Sequence, residues 1–176
     1  MDQNNIRTIK PDTIVKVLNN SSGSVSLVTT NFLLNWEKPD VEKRITFEKL
    51  QEAFTYAGVD TLFLEGILLI RDQEVRELLS LPPLSEYDLD AEGITELLKE
   101  GSVDRLQEVV EYCSNPIFEK IIDMAINLPV TDMGKIGVIK KYSGIDIYDI
   151  IQDRNASGKV PNANDKANMP KRAPVK

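Results

Sequence analysis

Two kinds of hydrophobic spacing divide the chain. Through about residue 47 the apolar positions come in β-branched runs or alternate at period two, as half-buried strands do. TIVKVL at 13–18 and SVSLVTT at 24–30 are such runs, and in the second Val25, Leu27 and Thr29 share one face. The five residues NNSSG between them contain glycine and predict a hairpin joining the two. FLLNW at 32–36 predicts a third strand that stops at the turn residues Lys38-Pro39-Asp40. KRITF at 43–47 alternates again, with Ile45 and Phe47 on one side. The period then changes. Phe47, Leu50, Ala53, Phe54 and Ala57 stand three and four apart, which predicts a short helix capped by Thr46 and ended by Gly58. A last strand is expected near Gly66–Ile70.

From residue 72 the helical period holds throughout. Asp72–Leu81 carries Val75, Leu78 and Leu79 on one face and stops at Pro82-Pro83. Asp90 is placed to cap 91–100, with Ile94, Leu97 and Leu98 inward and Gly101 behind them. Ser102 is placed to cap 103–113, where Leu106, Val109, Val110 and Cys113 form the stripe. Asn115 followed by Pro116 predicts a further helix start, with Phe118, Ile121, Ile122 and Ala125 buried. Thr131 would cap the next helix, closing at Tyr142-Ser143-Gly144, and Asp146 would begin the last, through Ile147, Ile150 and Ile151.

The expected fold class is therefore α+β: a small N-terminal β-sheet or barrel-like module with one helix, then a compact bundle of five or six short helices. The expected division is an arm at 1–10, the β-rich module at 11–71, the helical bundle at 72–154 and a basic tail at 155–176. The tail has three prolines, four asparagines and only Val160, Met169 and Val175 as larger apolar groups, too little to offset its ordering entropy.

Charge sharpens that division. Across 176 residues the net charge is −7, yet residues 155–176 hold Lys159, Lys166, Lys171, Arg172 and Lys176 against Asp165, a net of +4. Residues 1–154 therefore carry −11. An acidic body repels phosphate backbones and anionic membranes, whereas a basic segment attracts them or an acidic protein surface. The five basic residues are thus candidate partner-binding residues; the plainer alternative is a solubilising tail. No apolar run approaches membrane-spanning length, and MDQNNIRTIK lacks the apolar stretch of a signal peptide, so a cytoplasmic or particle-borne protein is expected.

Most enzymatic chemistry finds no footing in the sequence. There is no histidine, hence no Ser-His-Asp arrangement and none of the commonest zinc ligand. The single cysteine, Cys113, continues an apolar stripe and reads as core. DMGKIG at 132–137 places Gly134 before Lys135, but it lacks the earlier glycine and the following Ser/Thr of a phosphate loop and falls in a helical stretch. Asp146, Asp149 and Asp153 lie on one helical face without the spacing of a calcium loop, and a solvated face is the simpler reading. Glu86, Asp88, Asp90 and Glu92 fit capping and helix-dipole preferences. The helix pair 91–100 and 103–113, joined by a glycine turn, has the outline of a helix-turn-helix. Its second member carries Asp104, Glu108 and Glu111 against Arg105, the wrong charge for base reading. Trp36 belongs by default in the core beside the sheet; on the surface it would be a partner-facing anchor. No catalytic, cofactor-binding or metal-ligating set is assigned.

Three stretches carry a resemblance: KRITFEKLQEAF…GVDTLFLEGILLIRDQEVRELLSLP, then SEYDLDAEGITELLKEGSVDRLQEVVEYC, then NPIFEKIIDMAINLPVTDMGKIGVIKKYSGIDI. Together, over roughly residues 12–151, they resemble a group of tailed-bacteriophage proteins of Gram-positive hosts that occur among head and other structural proteins. The resemblance implies a non-enzymatic virion or assembly role, lining or decorating the capsid in multiple copies. The implied partners are capsid or connector subunits; the basic tail lies outside the resemblance and, from its charge, is expected to reach a neighbouring protein or packaged DNA. The resemblance brings no catalytic or binding residues. Two other readings are a soluble adaptor that binds a host or phage protein through its acidic body, and a nucleic-acid-binding accessory protein that uses the basic tail alone.

Overall fold

The computed structural model describes residues 9–157 and is α+β. The chain divides into two compact units, Met1–Asp88 and Leu89–Lys176. The first unit runs β1 (Ile14–Asn19), β2 (Val25–Val28), β3 (Leu33–Trp36), β4 (Glu42–Thr46), α1 (Phe47–Phe54), α2 (Val59–Leu64), β5 (Leu68–Leu69) and α3 (Gln73–Leu78). The second holds α4 (Ala91–Lys99), α5 (Val103–Tyr112), α6 (Asn115–Asn127), α7 (Met133–Ser143) and α8 (Ile147–Ser157).

The strands form where expected but pair otherwise. β1 lies in the centre of a three-stranded antiparallel sheet of order β4-β1-β5, while β2 and β3 form a separate two-stranded ribbon. The predicted hairpin of β1 with β2 is therefore replaced by one of β2 with β3, in register Val25↔Trp36 through Val28↔Leu33. Asn19 explains the change. Its side chain, fully buried, donates to the carbonyl oxygens of Gly23 (2.7 Å) and Lys38 (2.9 Å), while its Oδ1 accepts from Ser21. Its backbone N–H binds Val41, and Asp40 N–H binds back to its carbonyl. These bonds hold the end of β1 against the segment entering β4 and turn the NNSSG loop away. β1 then pairs with β4 from Ile14↔Thr46 to Leu18↔Glu42, which puts Val15, Val17 and Ile45 on the buried face.

The helices of this unit close over that face. α1 buries Phe47, Leu50 and Ala53, with Thr46 at its N-cap as predicted. It ends earlier than expected, at Phe54, and Gly58 (φ 84°) instead precedes a helix absent from the sequence reading, α2. Only Val59 and Phe63 mark α2's inward side, too short a stripe to register as a period. α3 is also shorter than predicted. Ser80 (φ 58°) reverses the chain and Leu81 N–H returns to Arg76, so the helix cannot reach Pro82. Leu78, expected inside, is 52% exposed; Arg76 is buried and donates to the carbonyls of Ile70 and Pro82. Val75 and Leu81 belong to the same core as the strands, so the boundary expected at 71/72 falls after Asp88 and α3 belongs to the β-rich unit.

In the second unit the predicted stripes lie in the core: Ile94, Leu106, Val109, Val110 and Ile121 are fully buried, joined by Ile117 and Ile139, which were not among the expected positions, and each large side chain contributes about 1.5–3 kcal/mol by leaving water. α4 and α8 both pack on α6, and α7 packs on α5 and α8. Asp90 accepts from Gly93 N–H and Ser102 from Arg105 N–H, as their positions predicted. Two caps lie one residue from expectation. Ser114, not Asn115, precedes α6, and Asp132, not Thr131, caps α7 by accepting from Gly134 and Lys135 N–H. Gly144 ends α7 in the left-handed conformation (φ 74°), where a side chain would be strained. α8 continues to Ser157, so residues 155–157 are helical and not part of the tail.

Candidate functional site

Several residues singled out by the sequence are engaged in structure. Trp36 is 1% exposed and its Nε1–H donates to Val17 O at 3.2 Å. The reading of Trp36 as a partner-facing anchor is thereby corrected: the ring fills the core between ribbon and sheet. Cys113 is buried, with its thiol near Val110 O. Gly134 lies in α7 where that helix meets α5; a Cβ there would come within 2.8 Å of Val103 Cγ2. Lys135 is buried, and its ammonium donates to Leu97 O (3.3 Å) and Leu98 O (2.8 Å), carbonyls of the last turn of α4, the first of which also accepts from Gly101 N–H. The Gly-Lys pair thus serves helix packing and helix capping. Lys159, Lys166, Lys171, Arg172 and Lys176 lie outside the described residues.

Among the described residues, no three side chains of the metal-ligating types converge on one point. Asp146 accepts from Lys140 Nζ and from Tyr148 N–H, joining the end of α7 to the start of α8. The hydrogen bond from Lys140 holds the Asp146 carboxyl below its ordinary 3.8, and the same bond raises the Lys140 ammonium. A carboxylate with a depressed folded-state pKa adds stability above its unfolded pKa and loses it as pH falls through the folded value. The Asp146 carboxyl signal followed by NMR is therefore expected to titrate with a midpoint below 3.8, moving back toward 3.8 in Lys140→Gln. An unshifted midpoint would mean the pair does not persist in solution.

Arg76 is the other perturbed group. Burial pulls its guanidinium below the ordinary range, partly opposed by the charge of Asp88. Its two bonds to backbone carbonyls tie the segment after α3 to β5, a structural use of a buried cation.

The surface offers a site the sequence reading did not assemble. Along α4, Gly93, Leu97 and Gly101 follow one another at four-residue intervals and, with Leu89, floor a groove of about 420 Å³. Glu96, Glu100 and Arg105 form its rim. Gly101, in the turn after α4, cannot carry a side chain without strain, because a Cβ there would lie 2.6 Å from Leu97 O. Glu92, Glu96 and Glu100 are exposed at i, i+4 and i+8, so they run along the same side of the helix. Arg105 already pairs with Glu108 at 2.8 Å. Counting residues 91–112, six carboxylates face two cations, a net of −4. Such a surface repels phosphate and suits a basic, partly apolar peptide. The signal was present in the sequence as two interleaved four-residue spacings, glutamates and small residues. Only the packing of α4 beside α5 turns the second into a concavity.

Elsewhere, Val28 and Leu33 face each other on the outer side of the β2–β3 ribbon, 62% and 63% exposed. Among the described residues, no helix is long and apolar enough to cross a membrane.

Compared with known protein families, curated proteins and solved structures, the chain matches none.

Proposed function

We propose that this chain is a non-enzymatic structural and assembly protein of a tailed-phage virion, head-associated or capsid-lining, with its basic C-terminal segment docking on a neighbouring subunit or on the genome. The observation that carries the reading is the division of charge: +4 over residues 155–176 against −11 over the rest. The sequence resemblance directs it to the phage head. The described surface is consistent with partner binding, since the buried cations Arg76 and Lys135 bind backbone carbonyls and the open groove on α4 is acid-rimmed. Partners of this class would be capsid or connector subunits, met in many copies, in the virion after assembly in the host cytoplasm.

The acid-rimmed groove also favours a second reading, a soluble adaptor that takes a basic segment of a host or phage protein on its body. Sedimentation separates the two. Particles from a lysate of the source are banded, washed in high salt and examined by mass spectrometry. The virion reading expects the protein in the particle band after the wash. Its confinement to the light fractions would sink that reading and leave the adaptor.

A further inference from the structure

We infer that the free edge of β1 from Ile14 to Val17 is a slot for one extended segment of a partner protein, which joins the sheet as a strand in line with β5. The inference goes beyond the charge division and holds for a virion protein and for an adaptor alike.

The register leaves the slot. β1 pairs with β4 from Ile14 to Leu18, but with β5 only at Leu18 and Asn19. Beyond Leu69 the chain leaves β1. Asp72 caps α3 by accepting from Glu74 and Val75 N–H, and Arg76 holds Ile70 O, so residues 70–72 serve the helix and not the sheet. Among the described residues, no strand pairs with β1 on this side between Ile14 and Val17.

Backbone parity says which groups are open. Asn19 N–H donates to Val41 O and Phe47 N–H to Thr13 O, so the odd-numbered residues of β1 turn their main-chain groups toward β4. Asn20 N–H donates to Ile67 O, so the even-numbered residues turn theirs toward β5. Leu18 meets Leu69 on that side; Lys16 and Ile14 follow and meet no strand. Their N–H donors and carbonyl acceptors therefore face a gap that another backbone can fill.

The gap is an open cleft of about 250 Å³, with Ile14, Lys16, Leu69, Arg71 and Asp72 among its lining residues. Lys16 would guard the edge with its charge, but its ammonium pairs with Glu42 of β4 at 3.0 Å. The outer edge of β4 differs: Glu42, Lys43 and Arg44 stand in a row there, a charged edge of the kind that resists pairing.

The walls select the occupant. A folded sheet edge, such as one of a second copy, brings its next strand about 4.8 Å behind the first. Here that strand would meet the departing chain at Arg71 and Asp72. A single extended segment meets no such obstacle. Antiparallel to β1, it would exchange hydrogen bonds with Lys16 and Ile14. Ile14 is 55% exposed, so the residue opposite it is best β-branched or aromatic.

Amide hydrogen exchange, read by NMR on the ¹⁵N-labelled full chain, tests this. In the free chain the Ile14 and Lys16 amides are expected to exchange at least tenfold faster than those of Val15 and Val17, which are bonded to β4. The probe is an acetylated, amidated peptide of alternating threonine and valine with lysine at each end. At about 5 mM, in the range of weak binding, it should slow exchange at Ile14 and Lys16 at least threefold and leave Val15 and Val17 unchanged. The same peptide with its central amides N-methylated cannot donate and should have no effect. Free-chain amides of Ile14 and Lys16 as slow as those of Val15 and Val17 would mean the edge is already paired, and would overturn the inference. So would no slowing by the unmethylated peptide, or equal slowing by both. None of these outcomes bears on whether the protein bands with particles, so this inference and the virion reading fail separately.

Discussion

Trp36→Ala is expected to destabilise the N-terminal unit by about 3–5 kcal/mol, the range for truncating a large buried aromatic to alanine. Trp36 ends β3 opposite Val25 and is 1% exposed. It lies in the core cluster that includes Val17, Leu27, Leu50 and Phe63, so truncation leaves a cavity that strands on two sheets cannot both collapse into. The indole N–H also leaves Val17 O, removing a bond between ribbon and three-stranded sheet. Trp36→Phe keeps most of the volume and loses mainly that bond, so about 1–2 kcal/mol is expected. Thermal unfolding followed by far-ultraviolet circular dichroism decides the matter: the alanine variant should melt more than about 10 °C lower. A shift within about 3 °C would mean the ring is not buried as described and would return Trp36 to the list of partner contacts.

The second large effect is expected at Asn19. Asn19→Ala removes the buried amide that donates to Gly23 O and Lys38 O and accepts from Ser21, although Gly23 O keeps a bond from Ser21 Oγ. A cost of about 1–3 kcal/mol follows from the lost hydrogen bonds. Asn19→Asp is expected to cost more at neutral pH, because a carboxylate would face two carbonyl oxygens that need a donor. Burial and those oxygens disfavour its charged form, so the folded-state pKa rises above the unfolded value of about 3.9. The penalty is then largest above the folded pKa and shrinks as pH falls through it. Urea unfolding of Asn19→Asp and Asn19→Ala at neutral and mildly acidic pH is the measurement. If the aspartate variant gains nothing on the alanine variant in acid, the polar knot is not the determinant of this corner.

Much of the second unit was legible because its helices carry their own instructions. In α4 and α5 the caps Asp90 and Ser102, the stripes Ile94-Leu97-Leu98 and Leu106-Val109-Val110, and the stop at Gly101 all lie within one window of sequence. Helix starts slipped by one residue, to Ser114 and Asp132, the second because adjacent Thr131 and Asp132 compete for one cap, and the end of α8 slipped by three, to Ser157. The first unit was harder. The runs that became β1 to β4 were visible, but a strand's partner is decided by residues far along the chain.

The candidate site shows the same limit. The basic residues of 159–176 were plain from composition. The groove was not, since Gly93 and Gly101 look like helix breakers or turn residues until α5 is set beside them.

By itself the sequence determined the local and the additive: the α+β class, which stretches take strand or helix period, most helix ends, and an acidic body joined to a basic segment. Those properties depend on neighbours a few residues apart, or on sums over the chain. The tertiary structure alone decided that β1 pairs with β4 and β5 and not with β2, that α3 joins the β-rich unit, and that Arg76 is buried where Leu78 was expected. It also sank Trp36 into the core and set α4 beside α5 to form a groove. Each of these depends on contacts between residues distant in sequence, where burial of apolar surface and the need to pair every buried polar group choose among arrangements that local propensity leaves equal.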